Sequence, residues 1–161
     1  MVDVTKRNFF LMKKLQDNSA RLPWLKHSHD NFTDLCTRCG QCVDNCETEI
    51  IVKGDGGFPQ IDFSLGECTF CYRCAKSCPE PLFLTQQQTP WNIKAIINES
   101  CLAYKNVECR SCGEQCDTMA IQFELSIGQV AQPSIEIGAC NGCGACVSAC
   151  PTSSISVSNA V

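Results

Sequence analysis

CLAYKNVECRSCGEQC, residues 101–116, holds four cysteines: Cys101, Cys109, Cys112 and Cys116. Three other runs in the chain have the same composition but a tighter beginning. They are CTRCGQCVDNC (Cys36, Cys39, Cys42, Cys46), CTFCYRCAKSCP (Cys68, Cys71, Cys74, Cys78, then Pro79) and CNGCGACVSACP (Cys140, Cys143, Cys146, Cys150, then Pro151). In each of these two residues separate the first pair of cysteines; in 101–116 seven do. Whether that stretch is a fourth metal loop or a degenerate copy decides how many four-cysteine units the chain builds.

The three regular runs read C-x2-C-x2-C-x3-C, the bacterial spacing for [4Fe–4S] clusters. Three closely spaced cysteines wrap three corners of an iron–sulfur cube. The fourth is expected on a following short helix, aimed at the neighbouring cluster, as in two-cluster ferredoxins. A proline after it stops that helix, and glycines beside the ligands (Gly40, Gly113, Gly142, Gly144) allow the unusual backbone angles of a tight loop. Zinc prefers separated C-x2-4-C pairs to triplets followed by x3-C.

The flanks resolve the odd run. EIIVKGDGGFPQIDFSLGEC, between the first and second runs, reads as strand, turn, strand, and so does AIQFELSIGQVAQPSIEIGAC between the third and fourth. IKAIINESC runs as a strand into Cys101, and SSISVSNAV closes the chain as another. Cys36 to Cys68 is 32 residues and Cys109 to Cys140 is 31. The order strand, loop, helix, strand therefore occurs twice, and Cys101 stands where a first ligand belongs. The longer loop behind it costs little closure entropy. Sixteen cysteines then divide into four sets with none spare.

The expected fold is α+β: two tandem bacterial 2[4Fe–4S] ferredoxin-like modules, residues 28–88 and 89–161, behind an N-terminal helical arm and linker, residues 1–27. By the crossed rule the ligand sets are Cys36, Cys39, Cys42 and Cys78; Cys68, Cys71, Cys74 and Cys46; Cys101, Cys109, Cys112 and Cys150; Cys140, Cys143, Cys146 and Cys116. Modules of about 60–70 residues are marginal for an apolar core alone, so cluster binding is coupled to folding. TQQQTP, residues 85–90, reads as the linker between them.

Cysteine at this density means disulfides or metal. Disulfides need an oxidising compartment, and no export signal is legible. Lys6-Arg7 only faintly resembles a twin-arginine pair, and Lys13, Lys14, Gln16 and Asp17 fall where an apolar h-region belongs. No apolar run approaches the ~20 residues of a membrane span. The chain reads as cytoplasmic, with its thiols reduced and bound to metal. Residues 1–26 carry six Lys/Arg against two Asp, +4, which leaves −8 for the rest of a chain of formal charge −4. An acidic body with one short basic arm does not fit nucleic acid. No nucleophile–base pair, phosphate loop or dinucleotide fingerprint is present, so no catalytic site of its own is expected.

Within the arm, Phe9, Met12 and Leu15 share a helical face with Leu11, and Lys13 and Lys14 lie off it. It packs on its own protein or serves as a docking tail, in which case Lys6, Arg7, Phe9, Phe10, Met12 and Lys13 are its partner-binding residues. Trp24 is expected to be buried. His27 and His29 are left over as metal ligands, because the cysteines fill every cluster. Arg38, Arg73 and Arg110 fall inside cysteine loops, as solvated charge or as groups that raise local potentials.

Taken together, CTRCGQCVDNCE, KGDGGFPQIDF, ECTFCYRCAKSCPEPLF, CLAYKNVECRSC and CNGCGACVSACP resemble the NapF family of ferredoxin-type proteins from periplasmic nitrate reductase systems. The likeness runs from about Arg21 to the final strand, and CLAY…VECR is its most telling part. It departs at Lys6-Arg7, which replaces an arginine pair, and at Glu47 and Asp117, which stand where simple ferredoxins have proline. The resemblance implies a cytoplasmic protein with [4Fe–4S] clusters, four by the count above. It would meet the precursor of the catalytic nitrate reductase subunit before export and assist its maturation. The other readings are an electron-transfer relay subunit of a quinol-linked oxidoreductase and a zinc-bound structural adaptor. A monomer is expected.

Overall fold

The computed structural model describes residues 22–26 and 29–159. The N-terminal arm with Lys6, Arg7, Phe9, Phe10, Met12 and Lys13 lies outside the described residues, as does His27. In chain order the elements are helix α1 (His29–Leu35), helix α2 (Gln41–Asp44), strand β1 (Ile51–Lys53), strand β2 (Pro59–Ile61) and helix α3 (Arg73–Lys76). There follow strand β3 (Ile93–Ile97), helix α4 (Ser111–Glu114), strand β4 (Ile121–Glu124), strand β5 (Gln132–Ile135), helix α5 (Ala145–Ser148) and strand β6 (Ile155–Asn159).

Both expected hairpins form. β1 pairs antiparallel with β2, Ile51 facing Ile61, and β4 with β5, Ile121 facing Ile135. The first turns through Asp55-Gly56-Gly57, where Gly56 and Gly57 have φ of +65° and +79°, angles that glycine adopts without a Cβ penalty. β3 and β6 pair antiparallel from Ile93–Asn159 to Ile97–Ile155. Ile93 and Ala95 of one strand and Ile155 and Val157 of the other are buried, the period of two that puts one face of a strand inward. In the first half a single bridge, Leu25 to Phe83, takes the place of this closing pair. Lys26 N–H donates to Leu82 O (2.9 Å) and Leu84 N–H to Trp24 O (2.6 Å). Phe83 lies five residues beyond Cys78, as β6 begins five beyond Cys150.

The helices differ from expectation in one respect. Each cysteine-loop helix is a single turn that carries the third cysteine of its run (Cys42, Cys74, Cys112, Cys146), and the fourth falls two residues past its end. Each fourth cysteine closes a tightened exit turn: Cys46 N–H donates to Val43 O, Cys78 to Ala75 O, Cys116 to Gly113 O and Cys150 to Val147 O, at 3.2–3.3 Å. Such i to i−3 bonds satisfy the last carbonyls of a helix. The runs ending in Glu47 and Asp117 exit as those ending in Pro79 and Pro151 do, so hydrogen bonding, not proline, stops these helices.

The two halves share a core. One apolar cluster joins Leu22, Phe32, Ile50, Ile51, Ile61, Phe63, Cys74 and Leu82 of the first half to Ile93 and Val157 of the second. A second cluster gathers Ala95, Cys112, Ile121, Cys146 and Ile155. The segment 85–90 is exposed but pinned: Trp24 donates its indole N–H to Gln88 O (2.9 Å) and its backbone N–H to Pro90 O (2.5 Å). Trp24 is buried, as expected, with Tyr72 edge-on at 5.1 Å. Trp24→Ala is expected to cost about 3–5 kcal/mol, read as an earlier midpoint in anaerobic denaturant unfolding; a shift below about 1 kcal/mol would mean the ring only covers surface. Among the described residues no helix is long and apolar enough to cross a membrane.

Candidate metal centres

Four pockets are each walled by four cysteines. The first holds Cys36, Cys39, Cys42 and Cys78, with Leu22, Phe32 and Arg38 around them. The second holds Cys46, Cys68, Cys71 and Cys74. The third holds Cys101, Cys109, Cys112 and Cys150, and the fourth Cys116, Cys140, Cys143 and Cys146. In every pocket three cysteines come from one run and the fourth from the other run of the same half. The thiols' mutual influence largely follows the same grouping, with Cys143 also acting on Cys68 and Cys112 on Cys146 across neighbouring sites. Cys36 and Cys78 act on Cys42, Cys46 on Cys68 and Cys74, Cys101 and Cys109 on Cys112, and Cys116 on Cys143 and Cys146.

The lengthened loop is folded. Residues 103–105 make a 3-10 turn whose Ala103 is fully buried. Val107 N–H returns to Leu102 O at 3.0 Å, and Asn106 adopts φ +61°. Tyr104 donates its hydroxyl to Pro133 O (3.1 Å), and Asn106 Oδ1 accepts from Val130 N–H (3.0 Å), both on the β4–β5 side. These bonds carry the chain back so that Cys109 shares a pocket with Cys101.

In the three regular runs the residues on either side of the second cysteine have positive φ: Arg38 and Gly40, Phe70 and Tyr72, Gly142 and Gly144. Non-glycine residues there are strained. Phe70 and Tyr72 are held by edge contacts to Trp24, and Tyr72 also donates its hydroxyl to Leu84 O (2.6 Å). Gly113 was expected among the left-handed glycines but lies within α4 without a positive φ. It is small because a Cβ there would sit 2.5 Å from Phe123 Cε2.

A repeated Cys-x-Thr was not singled out in the sequence, although it is legible there. Cys46 Sγ lies 3.7 Å from Thr48 Oγ1, Cys116 Sγ 3.6 Å from Thr118 Oγ1 and Cys150 Sγ 3.7 Å from Thr152 Oγ1. Ser154 N–H adds a bond to Cys150 Sγ at 3.2 Å. Hydrogen bonds to sulfur tune iron–sulfur potentials. In the second run the threonine position is Glu80. The three loop arginines have partners: Arg73 pairs with Glu47 (3.1 Å), Arg110 with Glu108 (2.8 Å), and Arg38 lies over the Phe58 ring. Thr69 and then Arg73 hold the Glu47 carboxyl below the usual carboxylate range.

Burial, with neighbouring cysteines adding to it, pushes the thiols of Cys42, Cys68 and Cys112 up to about 11 and those of Cys74 and Cys146 up to about 12. At Cys150 burial is outweighed by hydrogen bonds from Ser154 and Thr152, and the thiol is lowered. Metal ligation takes the thiolate. The buried thiols are protonated at neutral pH and must each release a proton on loading. Cluster reconstitution is therefore expected to release protons and to become more favourable as pH rises from 7 toward 9. Proton release followed with a pH indicator in weakly buffered anaerobic solution checks this; loading without proton release would mean the ligands are not these thiols.

The donor set suits a cluster better than a single ion. Structural zinc usually draws on separated C-x2-4-C pairs, whereas each pocket here takes three cysteines from one run and one from another. A [4Fe–4S] cube spreads four thiolates over four irons. Residues 35–81 match the 4Fe–4S dicluster domain family and residues 133–156 the 4Fe–4S binding domain family. Fold and site together define an iron–sulfur protein of the ferredoxin type. The chain is 39% identical to "Ferredoxin-type protein NapF" of Escherichia coli over 155 residues, 96% of this chain and 94% of that one. It is 48% identical to the Haemophilus influenzae protein of the same name over 139 residues, 86% of this chain and 78% of that one. The chain belongs to the NapF family of ferredoxin-type proteins. It is also 28% identical to "Ferredoxin-type protein NapG" of Haemophilus influenzae, across 81% of this chain and 54% of that one.

Proposed function

We propose that the chain is a cytoplasmic accessory protein carrying four [4Fe–4S] clusters in two tandem 2[4Fe–4S] modules, residues 28–88 and 89–161. In this reading it meets the catalytic subunit of a periplasmic nitrate reductase before export and assists maturation of that subunit's own iron–sulfur centre. The observation that carries the cluster assignment is the lining of four pockets by four crossed cysteine quartets. Cys36, Cys39, Cys42 and Cys78 hold the first cluster, and Cys68, Cys71, Cys74 and Cys46 the second. Cys101, Cys109, Cys112 and Cys150 hold the third, and Cys140, Cys143, Cys146 and Cys116 the fourth. When bound, the clusters supply one-electron transfer. The chain's own residues would hold and shield them, with the hydroxyls of Thr48, Thr118 and Thr152 beside the ligand sulfurs of Cys46, Cys116 and Cys150.

Membership of the NapF family supports the choice of partner, and the charge distribution supports the manner of docking. Each oxidised cluster with four thiolates is a net anion, so the loaded body is more acidic than the formal −4 of the chain. It is steered toward basic surfaces, and the basic, apolar-faced arm adds affinity in a groove of the partner. Anaerobic co-purification with the catalytic precursor tests this. Capture of the precursor, and loss of its cluster loading when the accessory chain is omitted, is the expected result. Capture of a membrane quinol-oxidising complex instead would favour the relay reading. Deleting residues 1–20 is expected to leave the visible iron–sulfur absorbance intact and to weaken precursor capture, more at low salt than at high. Unchanged capture at every salt concentration would make the arm merely structural.

A further inference from the structure

The two halves meet at their cluster sites. Cys68 of the second site donates its backbone N–H to the carbonyl of Cys143 of the fourth site, at 2.8 Å. The loop carrying Cys143 is pressed against Phe63 of the first half after that cysteine and against Trp91 and Ile93, at the start of its own half, before it. A Cβ at Gly144 would sit 2.0 Å from Phe63 Cδ1, and one at Gly142 would sit 2.5 Å from Ile93 O and 3.0 Å from Trp91 Nε1. Trp91 donates its indole N–H to Asn141 O (2.9 Å) and stands edge-on to Phe63 and Phe70, at 6.0 and 5.7 Å. The junction is built from the buried Phe63 ring, the half-buried rings of Phe70 and Trp91, and close backbone approach. Each of the four pockets is lined only by residues of its own half, and the Cys68–Cys143 contact joins the second to the fourth. Within each half the exchanged fourth cysteine ties the two sites together: Cys78 and Cys46 in one, Cys150 and Cys116 in the other.

We propose that the four sites form one continuous electron path in the order first, second, fourth, third, crossing between the halves at the Cys68–Cys143 contact, with the first and third sites as its two ports. The inference rests on the four quartets being cluster sites. It goes beyond that reading by making the chain a single conductor instead of two separate ferredoxins in tandem. Each transfer moves one electron, with no bond made or broken. A reduced flavin or iron–sulfur donor is oxidised at one port, and an iron–sulfur acceptor is reduced at the other.

The test begins with the full chain reconstituted anaerobically. About sixteen iron per chain, four per cluster, is the precondition, and a count near eight would defeat the four-site reading itself, not the path. Cys36→Ala, Cys39→Ala, Cys101→Ala and Cys109→Ala together remove two ligands from each port and leave the second and fourth sites whole. With about eight iron retained, the dithionite-reduced variant is expected to show an electron paramagnetic resonance spectrum broadened by interaction between its two centres, with accelerated relaxation. Two narrow, independent signals would overturn the path. Should the variant bind less iron, anomalous iron peaks in crystals of the unaltered holo chain decide. Four peaks in a row are expected, with the second-to-fourth gap no wider than the gaps within each half; a second-to-fourth gap wider than those would overturn it.

Discussion

Replacing Cys101 with serine is expected to lower bound iron from about sixteen to about twelve per chain, or to convert one centre to a three-iron form with its own paramagnetic signal in the oxidised state. The effect is large because, in the proposed reading, the lengthened loop is a ligand arm. The 3-10 turn at 103–105, the burial of Ala103 and the bonds of Tyr104 and Asn106 to the β4–β5 side return the chain to the pocket that Cys101 shares with Cys109, Cys112 and Cys150. A serine hydroxyl there is a poor substitute for a thiolate on iron. Iron content and sulfide of purified wild type and variant decide the matter. A variant with unchanged iron would show that residues 101–116 are a degenerate run and that Cys101 only decorates the loop.

Gly144→Ala is expected to be strongly damaging. Gly144 has φ +85°, and a Cβ would meet the Phe63 ring at 2.0 Å, in the seam between the halves. The left-handed backbone alone costs a non-glycine residue about 1–3 kcal/mol, and forcing a methyl into a filled core adds about 1–3 kcal/mol. Gly128→Ala is the control. That residue has φ +79° but nothing within 4 Å of a new Cβ, so only the backbone term applies. Thermal unfolding of the holo forms should therefore fall much further for Gly144→Ala, with loss of iron from the fourth site. Equal losses in the two variants would mean that Phe63 yields and the seam is soft.

Cysteine spacing made the quartets legible, and alternating apolar residues made the hairpins and the closing strand legible, because both signals are local. Cys101 was recoverable too, since a strand runs directly into it. The exit of each single-turn helix was not, because proline is the visible punctuation while i to i−3 hydrogen bonds make the turn at Cys46 and Cys116 as well. The positive φ of Arg38, Phe70 and Tyr72 was hidden for a related reason: nothing in those residue types asks for it, and at Phe70 and Tyr72 aromatic contacts with Trp24 maintain it. The polar segment 85–90 reads as a free linker until Trp24 is seen to hold two of its carbonyls. Least legible was the meeting of Cys68 with Cys143, a tertiary contact between runs that the sequence assigns to different modules.

Iron and acid-labile sulfide, counted on the same anaerobically reconstituted and desalted chain, test the central claim most directly. Four [4Fe–4S] clusters predict about sixteen of each per chain, with a broad brown absorbance that bleaches on reduction. About eight of each, or about four zinc with no sulfide, would contradict it.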